Sequence, residues 1–394
     1  MAAAFRPPGR LFASARSIAT SPRCSAEKAG GLTEEMRANV RRFVRQEIIP
    51  TIHEFDAKAE FPWPLAKKLH KLGLTNVDTP RGQGLSLKAK VGLFEELAYG
   101  DAGLATALMI SDLAQVPLLH AGSPELKKKY VGRLCAGPRL AAYATTESEA
   151  GSDLARAKLK ATQQSNGDWI LDGEKAWITN AGVADWAFVL AATDSNESTG
   201  HRFTGFVVDR KAEGVNVGEN ERKLGLRTAD TRGLVLERVR VPKENVVGEV
   251  GGGFPLAMRA FNRVRPVIAA LACGYALERK TFDRPIIEHE GVSFKLADMA
   301  QRLEASRLLA LEAAEKVEAD SADAAYFSAI AKCFAADAAV SAATNALQVF
   351  GANGSSPLYP VEKLLRDSTS FKIIGGTSEI QRLIIARQLK RRIG

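Results

Sequence analysis

The chain has 394 residues, long enough for two or three domains or one large helical body. Apolar residues make up 46% and charged residues 25%, an ordinary globular balance, and no uninterrupted apolar run approaches membrane-spanning length, so no integral membrane association is expected. The net charge of +9 falls to +5 if residues 1–28 are removed with their five Lys/Arg and one acid, a mildly basic body suited to a small polyanion and far from a nucleic-acid-binding profile.

The first 26 residues stand apart. They carry Arg6, Arg10, Arg16 and Arg23 with Ser14, Ser17, Ser21 and Ser25, and no acid precedes Glu27. A basic, Ser-rich, acid-poor leader of this kind predicts a mitochondrial transit peptide over residues 1–28 and a matrix location; a disordered tail is the plainer alternative.

Residues 31–140 read as an N-terminal α domain. Val40, Phe43, Ile48 and Ile52 recur at helical spacing, Pro62 and Pro64 restart a helix that runs through Lys71, and a Gly/Pro loop follows at Pro80–Gly84. Helical stretches then pass through Glu96, Leu113 and Tyr130, with Lys127–Lys129 as a solvated helix end. The pattern changes at Ala141. Asn166-Gly167 and Asp172-Gly173 flank Trp169-Ile-Leu as two turn pairs, which predicts a hairpin. Thr204–Asp209 and Gly233–Pro242 have strand composition, so residues 141–247 read as a middle β domain. Gly248–Gly253 is a loop, and residues 253–394 return to helical spacing. The order helix–sheet–helix places the chain in the α+β class, not among alternating βαβ folds.

The four cysteines are scattered without a Cys-x-x-Cys, and the five histidines lack a His-Glu-x-x-His spacing. Neither a metal site nor a disulfide framework is expected, and Cys333 reads as a small core residue. No strand–Gly-x-Gly-x-x-Gly–helix unit is present; Gly251–Gly253 reads as a helix entry.

Two motifs carry chemistry. Tyr143-Ala-Thr-Thr-Glu-Ser-Glu-Ala-Gly-Ser-Asp153 is a hydroxyl-rich loop that can offer N–H and O–H groups to a ring edge or a pyrophosphate. Trp177-Ile178-Thr179 follows about 25 residues on, an indole able to cover one ring face with a hydroxyl on the same side of a strand. Each alone could be a polar turn or a core tryptophan.

Together with Lys372-Ile-Ile-Gly-Gly-Thr-Ser-Glu-Ile-Gln381, Glu95–Gly100, Asp230–Gly233, Arg265–Val267, Leu277–Phe282 and Tyr359–Leu364, these motifs resemble the acyl-CoA dehydrogenases from about residue 31 to the end, most closely the medium-chain branch. The resemblance implies an FAD enzyme that converts fatty acyl-CoA to trans-2-enoyl-CoA, passes electrons to an electron-transferring flavoprotein and forms a homotetramer. It implies that Tyr143, Thr146, Ser152, Trp177 and Thr179 line the flavin. Arg279 and Thr281 would reach the FAD of a neighbouring subunit, and Gln348, Thr377 and Glu379 would hold the rest of the dinucleotide. Ser152, Asn262, Arg265 and Gly376 would contact the substrate.

The resemblance also exposes departures. Medium- and short-chain members carry a Glu immediately before Gly-Thr-Ser as the base that takes the Cα proton; here that residue is Gly375. Other members hold the base on an earlier helix, where this chain has Val264. A missing base costs roughly 10²–10⁴ in rate. Gly375 keeps the N–H that the family uses to polarise the thioester. Ile374 replaces an aromatic, Ser148-Glu149 a Pro-Gly pair, and Glu290 a Gln, while Ala352 and Ser355 interrupt a Gly-rich loop. Around Gly274-Tyr275 the chain is about 11 residues short of the family helix, close to three turns, which keeps Ala257, Phe261, Val264, Ile268, Leu271 and Tyr275 on one face. One hypothesis for the gap is a missing exon or an imperfect gene model. Three readings follow: an active dehydrogenase, an impaired relative that binds FAD or acyl-CoA as carrier, sensor or assembly subunit, and a helical interaction protein without a cofactor.

Overall fold

The structure, a computed structural model, describes residues 32–77, 79, 85–193, 198–264, 280–281, 284–285 and 288–393. The 1–28 leader, the Pro80–Gly84 loop, Arg265, Arg279 and the Gly274-Tyr275 seam lie outside the described residues.

Between Glu34 and Ala136 the described secondary structure is all helical. Val40, Val44, Ile48 and Ile52 repeat every four residues and are all buried, as one face of a helix must be when it packs on a core. Pro64 sits in the first turn of the Trp63–Lys71 helix, where its missing N–H costs nothing. The Ala102–Ala121 helix is almost wholly buried; it is long and apolar enough to cross a bilayer, yet here it is the central core helix. Asp101 starts it, accepting the Leu104 N–H at 2.5 Å, and supplies one of the otherwise orphaned donors of the first turn with an acceptor.

Eight strands follow: β1 (Leu140–Ala144), β2 (Lys160–Gln163), β3 (Trp169–Thr179), β4 (Ala184–Ala192), β5 (Phe203–Asp209), β6 (Val215–Val217), β7 (Thr231–Val241) and β8 (Val246–Val247). They form one sheet in the order β6-β7-β3-β2-β4-β5-β8, with β1 beside β4. Pairing is antiparallel except for β1–β4 and β2–β4. β4 is buried on both faces, and Phe188, Leu190 and Trp186 join the core of the N-terminal helices.

The two turn pairs of the sequence behave differently. Asn166-Gly167 makes the β2–β3 turn, with Gly167 at φ 87° and the Asn166 side chain accepting the Asp168 N–H. Asp172-Gly173 is no turn: β3 runs straight through it, and the ladder to β7 steps from Leu171–Val239 to Gly173–Leu236. The extra residue lies on β7, where Arg238 adopts φ 49°, and Gly173 faces that bulge at φ 134°, so the predicted pair of turns is one turn and a bulged stretch of ladder.

The chain then returns to helices: Gly253–Val264, Glu290–Glu318, Ala324–Phe350, Val361–Ser370 and Ser378–Ile393. A two-stranded pair, Lys280–Thr281 with Arg284–Pro285, lies between the first two. The helix–sheet–helix order read from the sequence is the order of the fold. Cys333 is buried on Ala324–Phe350, and no metal-binding cluster occurs among the described residues.

Candidate functional site

The Tyr143–Asp153 loop leaves the end of β1 and is fixed from beneath by charge. Lys175, wholly buried on β3, donates to Glu147 Oε1 at 2.8 Å and to the Thr145 carbonyl at 3.1 Å. Glu147 also accepts the N–H groups of Lys158 and Leu159. Burial pushes the Lys175 ammonium down to about 8 against the pull of Glu147. Burial pushes the Glu147 carboxyl up, but Lys175 and the two N–H groups outweigh it and hold it below its ordinary value.

Two residues beyond Lys175, β3 itself bulges. The ladder to β7 steps from Lys175–Leu234 to Ile178–Arg232, leaving three residues opposite two. The Ala176 N–H turns away from β7 and donates to the Thr146 carbonyl at 3.0 Å, which brings the loop and the Trp177 strand side by side. Trp177 itself adopts φ 58° and is 59% exposed. A bulky side chain in the left-handed region is costly, and an indole left in solvent forgoes its burial. Both facts are what a seat for a flat aromatic ligand requires: the strained backbone leaves the indole in the open on the strand that bonds the Thr146 carbonyl, with Thr179 two residues on. The residues present therefore fit a flavin ring.

Tyr143 is different from this expectation. Its ring stacks on Phe188 with centroids 5.2 Å apart, and its hydroxyl donates to the Ala257 carbonyl at 3.1 Å. The side chain belongs to the core, so only its main chain is left to face a cofactor. Ser152 is exposed at the loop tip. Glu149, expected to repel a pyrophosphate, turns to Lys158 at 2.6 Å, and that hydrogen bond holds its carboxyl low.

On the other side, Gly375 and Gly376 adopt φ 66° and 91°. A side chain added at Gly375 would meet nothing within 4 Å. The segment closes on itself through the Ser378 N–H to the Lys372 carbonyl at 2.9 Å. Thr377 caps the last helix, its hydroxyl accepting the Ile380 N–H at 3.3 Å. Glu379 is exposed; its own N–H and then the Thr377 hydroxyl hold its carboxyl low, so it is committed to the helix start. Ile374 and Phe371 pack on the N-terminal core.

One buried network joins the two sides. Lys363 lies 2.7 Å from Asp101 and 2.5 Å from Asp367. Asp367 accepts the Leu226 N–H at 2.6 Å, and Asp101 accepts the Thr228 hydroxyl. The 225–230 loop so held runs on to Asp230, whose carbonyl accepts the Asn180 N–H at 2.8 Å just past Trp177–Thr179. Only glycine fits at 225, since a Cβ there would lie 2.3 Å from the Arg366 carbonyl. Neither this network nor the Lys175–Glu147 pair was singled out from the sequence. The available signal was charge inside apolar stretches: Asp101 before a core helix, and Lys175 on a half-buried strand.

Gln348 sits exposed on the same helix as Lys332, whose ammonium reaches the Gly376 carbonyl. Sixteen residues of helix separate them, about 24 Å. One chain does not bring Gln348 to Thr377. Asn262 and Val264 lie at the end of the Gly253–Val264 helix and Thr281 on its short strand, with side chains outside the described set.

The comparisons with known proteins agree with this architecture. The acyl-CoA dehydrogenase N-terminal domain matches residues 32–138, the middle domain 142–239 and the C-terminal domain 251–390. A probable medium-chain specific acyl-CoA dehydrogenase 2, mitochondrial, of Caenorhabditis briggsae is 40% identical over 372 residues, 90% of each chain. Butyryl-CoA dehydrogenase from Megasphaera elsdenii superposes with a TM-score of 0.87 at 32% identity, covering 93% of this chain and 100% of that one. PigA with FAD and proline superposes with a TM-score of 0.85 at 27% identity, covering 93% and 100%. The chain belongs to the acyl-CoA dehydrogenase family of FAD-containing oxidoreductases.

Proposed function

We propose that this chain binds FAD between the Trp177 bulge and the Gly375 segment and acts on a fatty acyl-CoA of medium chain length, in mitochondrial β-oxidation. The single observation that carries the reading is Trp177, held exposed at φ 58° beside the Thr146 loop. Bound FAD would supply the hydride acceptor for the substrate Cβ. Trp177, Thr146, Ser152 and Thr179 would hold the ring, and Thr377 would serve the remainder of the dinucleotide. The N–H groups of the Gly375 segment would polarise the thioester and make its Cα proton labile. The mitochondrial location draws on the basic leader and on the Caenorhabditis relative. An electron-transferring flavoprotein is the proposed electron acceptor. A homotetramer is proposed as the working form, because Gln348 must come from another copy if it is to meet the dinucleotide that Thr377 holds.

A specific observation favours a second reading, an impaired relative that binds without turning over. No side chain at Gly375 or carboxylate at Val264 can take the Cα proton, and Glu379 is engaged at its own helix start. Octanoyl-CoA added anaerobically to the purified protein separates the two. Bleaching of a yellow protein supports turnover; a yellow protein that binds octanoyl-CoA and stays oxidised supports the second reading; a colourless protein that takes up no FAD refutes both.

A further inference from the structure

Three successive residues of the loop after β1 are each held by one two-residue stretch of β3. Lys175 Nζ donates to the Thr145 carbonyl at 3.1 Å and to Glu147 Oε1 at 2.8 Å, and the Ala176 N–H donates to the Thr146 carbonyl at 3.0 Å. Trp177 is the next residue. Between the Lys175–Leu234 and Ile178–Arg232 pairs neither Ala176 nor Trp177 is registered with β7, which frees the Ala176 N–H for the loop. Lys175 thus carries two of these three bonds, from a side chain with no exposed surface. The other charges nearby are turned away or engaged: Glu174 is exposed on the opposite face of β3, Lys158 pairs with Glu149, and Arg232 on β7 pairs with Asp230. Among the described residues Glu147 alone acts on the Lys175 ammonium. Packing does not call for this pair, since apolar side chains of similar volume would fill the space without desolvating two charges.

We propose that Lys175 is a positioning residue for the flavin: its ammonium, shared between the Thr145 carbonyl and Glu147, sets the Thr146 loop against the Trp177 bulge, and the seat is set only while that ammonium keeps its proton. The proposal rests on the reading that FAD sits at the Trp177 bulge. Without the proton the Glu147 carboxylate is left uncompensated beneath the loop, and the Thr145 carbonyl keeps only a neutral donor. Burial brings the ammonium down to about 8, so the flavin-free protein gives up this proton in mildly alkaline solution. FAD favours the set loop, so its binding takes the proton back up, and affinity falls as pH rises above about 8.

The test is flavin retention. FAD-loaded protein is diluted at pH values from about 7 to 9, and the dissociation constant is read from free-flavin fluorescence in the filtrate. The wild type is expected to lose affinity roughly tenfold between about pH 8 and 9, one proton being linked to binding. Lys175→Met should bind FAD roughly tenfold more weakly at about pH 7 and show no pH dependence. Glu147→Gln removes the partner that holds the proton on Lys175, so its loss of affinity should begin below about pH 8. A wild-type constant that stays flat across the range, or a Lys175→Met protein that keeps the wild-type slope, overturns the role of Lys175. Should Lys175→Met not fold, the Glu147→Gln profile decides: one displaced equally at every pH, with its onset unmoved, marks a merely structural pair and overturns the proposal. Wild-type protein that takes up no FAD at any pH overturns the FAD reading itself, whereas FAD bound with a flat profile overturns only this assignment.

Discussion

Replacing Lys363 by Met tests the network that ties the two halves of the site together. Lys363 is a single cation between two buried carboxylates, at 2.7 Å from Asp101 and 2.5 Å from Asp367, and the carboxylate side chains are 0% and 1% exposed. Burial raises the Asp367 carboxyl, Lys363 draws it back and Asp101 adds to the rise, leaving it above its ordinary value. Burial lowers the Lys363 ammonium, but the two acids outweigh it and the net shift is upward. Both directions describe a cluster of net negative charge that holds its protons tightly. Removing the cation leaves an uncompensated buried charge, a loss of about 3–5 kcal/mol at neutral pH. Its pH signature has a definite sign. In Lys363→Met the carboxyl pKa of the folded state rises further above the unfolded value of about 3.9, so the native state binds the extra proton. The deficit relative to wild type should therefore shrink as pH falls from 7 to 5. Lys363→Met/Asp367→Asn should recover most of the loss at pH 7. Thermal and urea denaturation at both pH values measure this. A deficit under about 1 kcal/mol, or one that does not change with pH, refutes the reasoning.

Three further outcomes are expected. Lys175→Met/Glu147→Gln should flatten a wild-type stability slope between about pH 8 and 10.5: the folded Lys175 sits near 8, the unfolded chain binds the proton up to about 10.5, and stability gains with rising pH across that window. The readout is the difference in melting temperature between variant and wild type across the range, and parallel curves would remove Lys175 as its source. Trp177→Ala should release flavin, read by fluorescence of the filtrate, with little loss of melting temperature in the flavin-free protein, since the indole is exposed; a large drop in stability with flavin retained would count against a cofactor seat. Gly375→Glu should raise octanoyl-CoA turnover by roughly 10²-fold or more, because the side chain enters open space, although the left-handed backbone costs about 1 kcal/mol or somewhat more. No gain in a variant that binds FAD and substrate would mean the proton is taken elsewhere.

The sequence made the order of elements readable because hydrophobic spacing changes at Ala141 and again near Gly253, and because Pro64 and Asn166-Gly167 punctuate the chain by fixed backbone preferences. It misassigned Asp172-Gly173, since a glycine at positive φ can stand inside a strand opposite a bulge as well as in a turn, and only the pairing with β7 distinguishes them. The Trp177 motif was legible as residue types, but its exposure depends on a bulge that no local pattern announces. Tyr143 was read as a residue lining the flavin; its ring packs in the core, where Phe188 and the Ala257 carbonyl, distant in sequence, receive it, and its main chain is what remains for such a contact. Lys332, Lys363 and Lys175 were not legible for the same reason: each is a charge with at least one partner 28 residues or more away along the chain.

The emptiness beside Gly375 has a chemical consequence of its own. A Cβ there would meet nothing within 4 Å, so a small anion from the buffer can approach, and acetate or formate at high concentration carries the functional group the polypeptide lacks. Octanoyl-CoA oxidation by the wild-type chain should climb with added acetate, level off at high concentration, and respond less to bulkier pivalate. The same salts should leave Gly375→Glu unmoved, its own limb already occupying the berth.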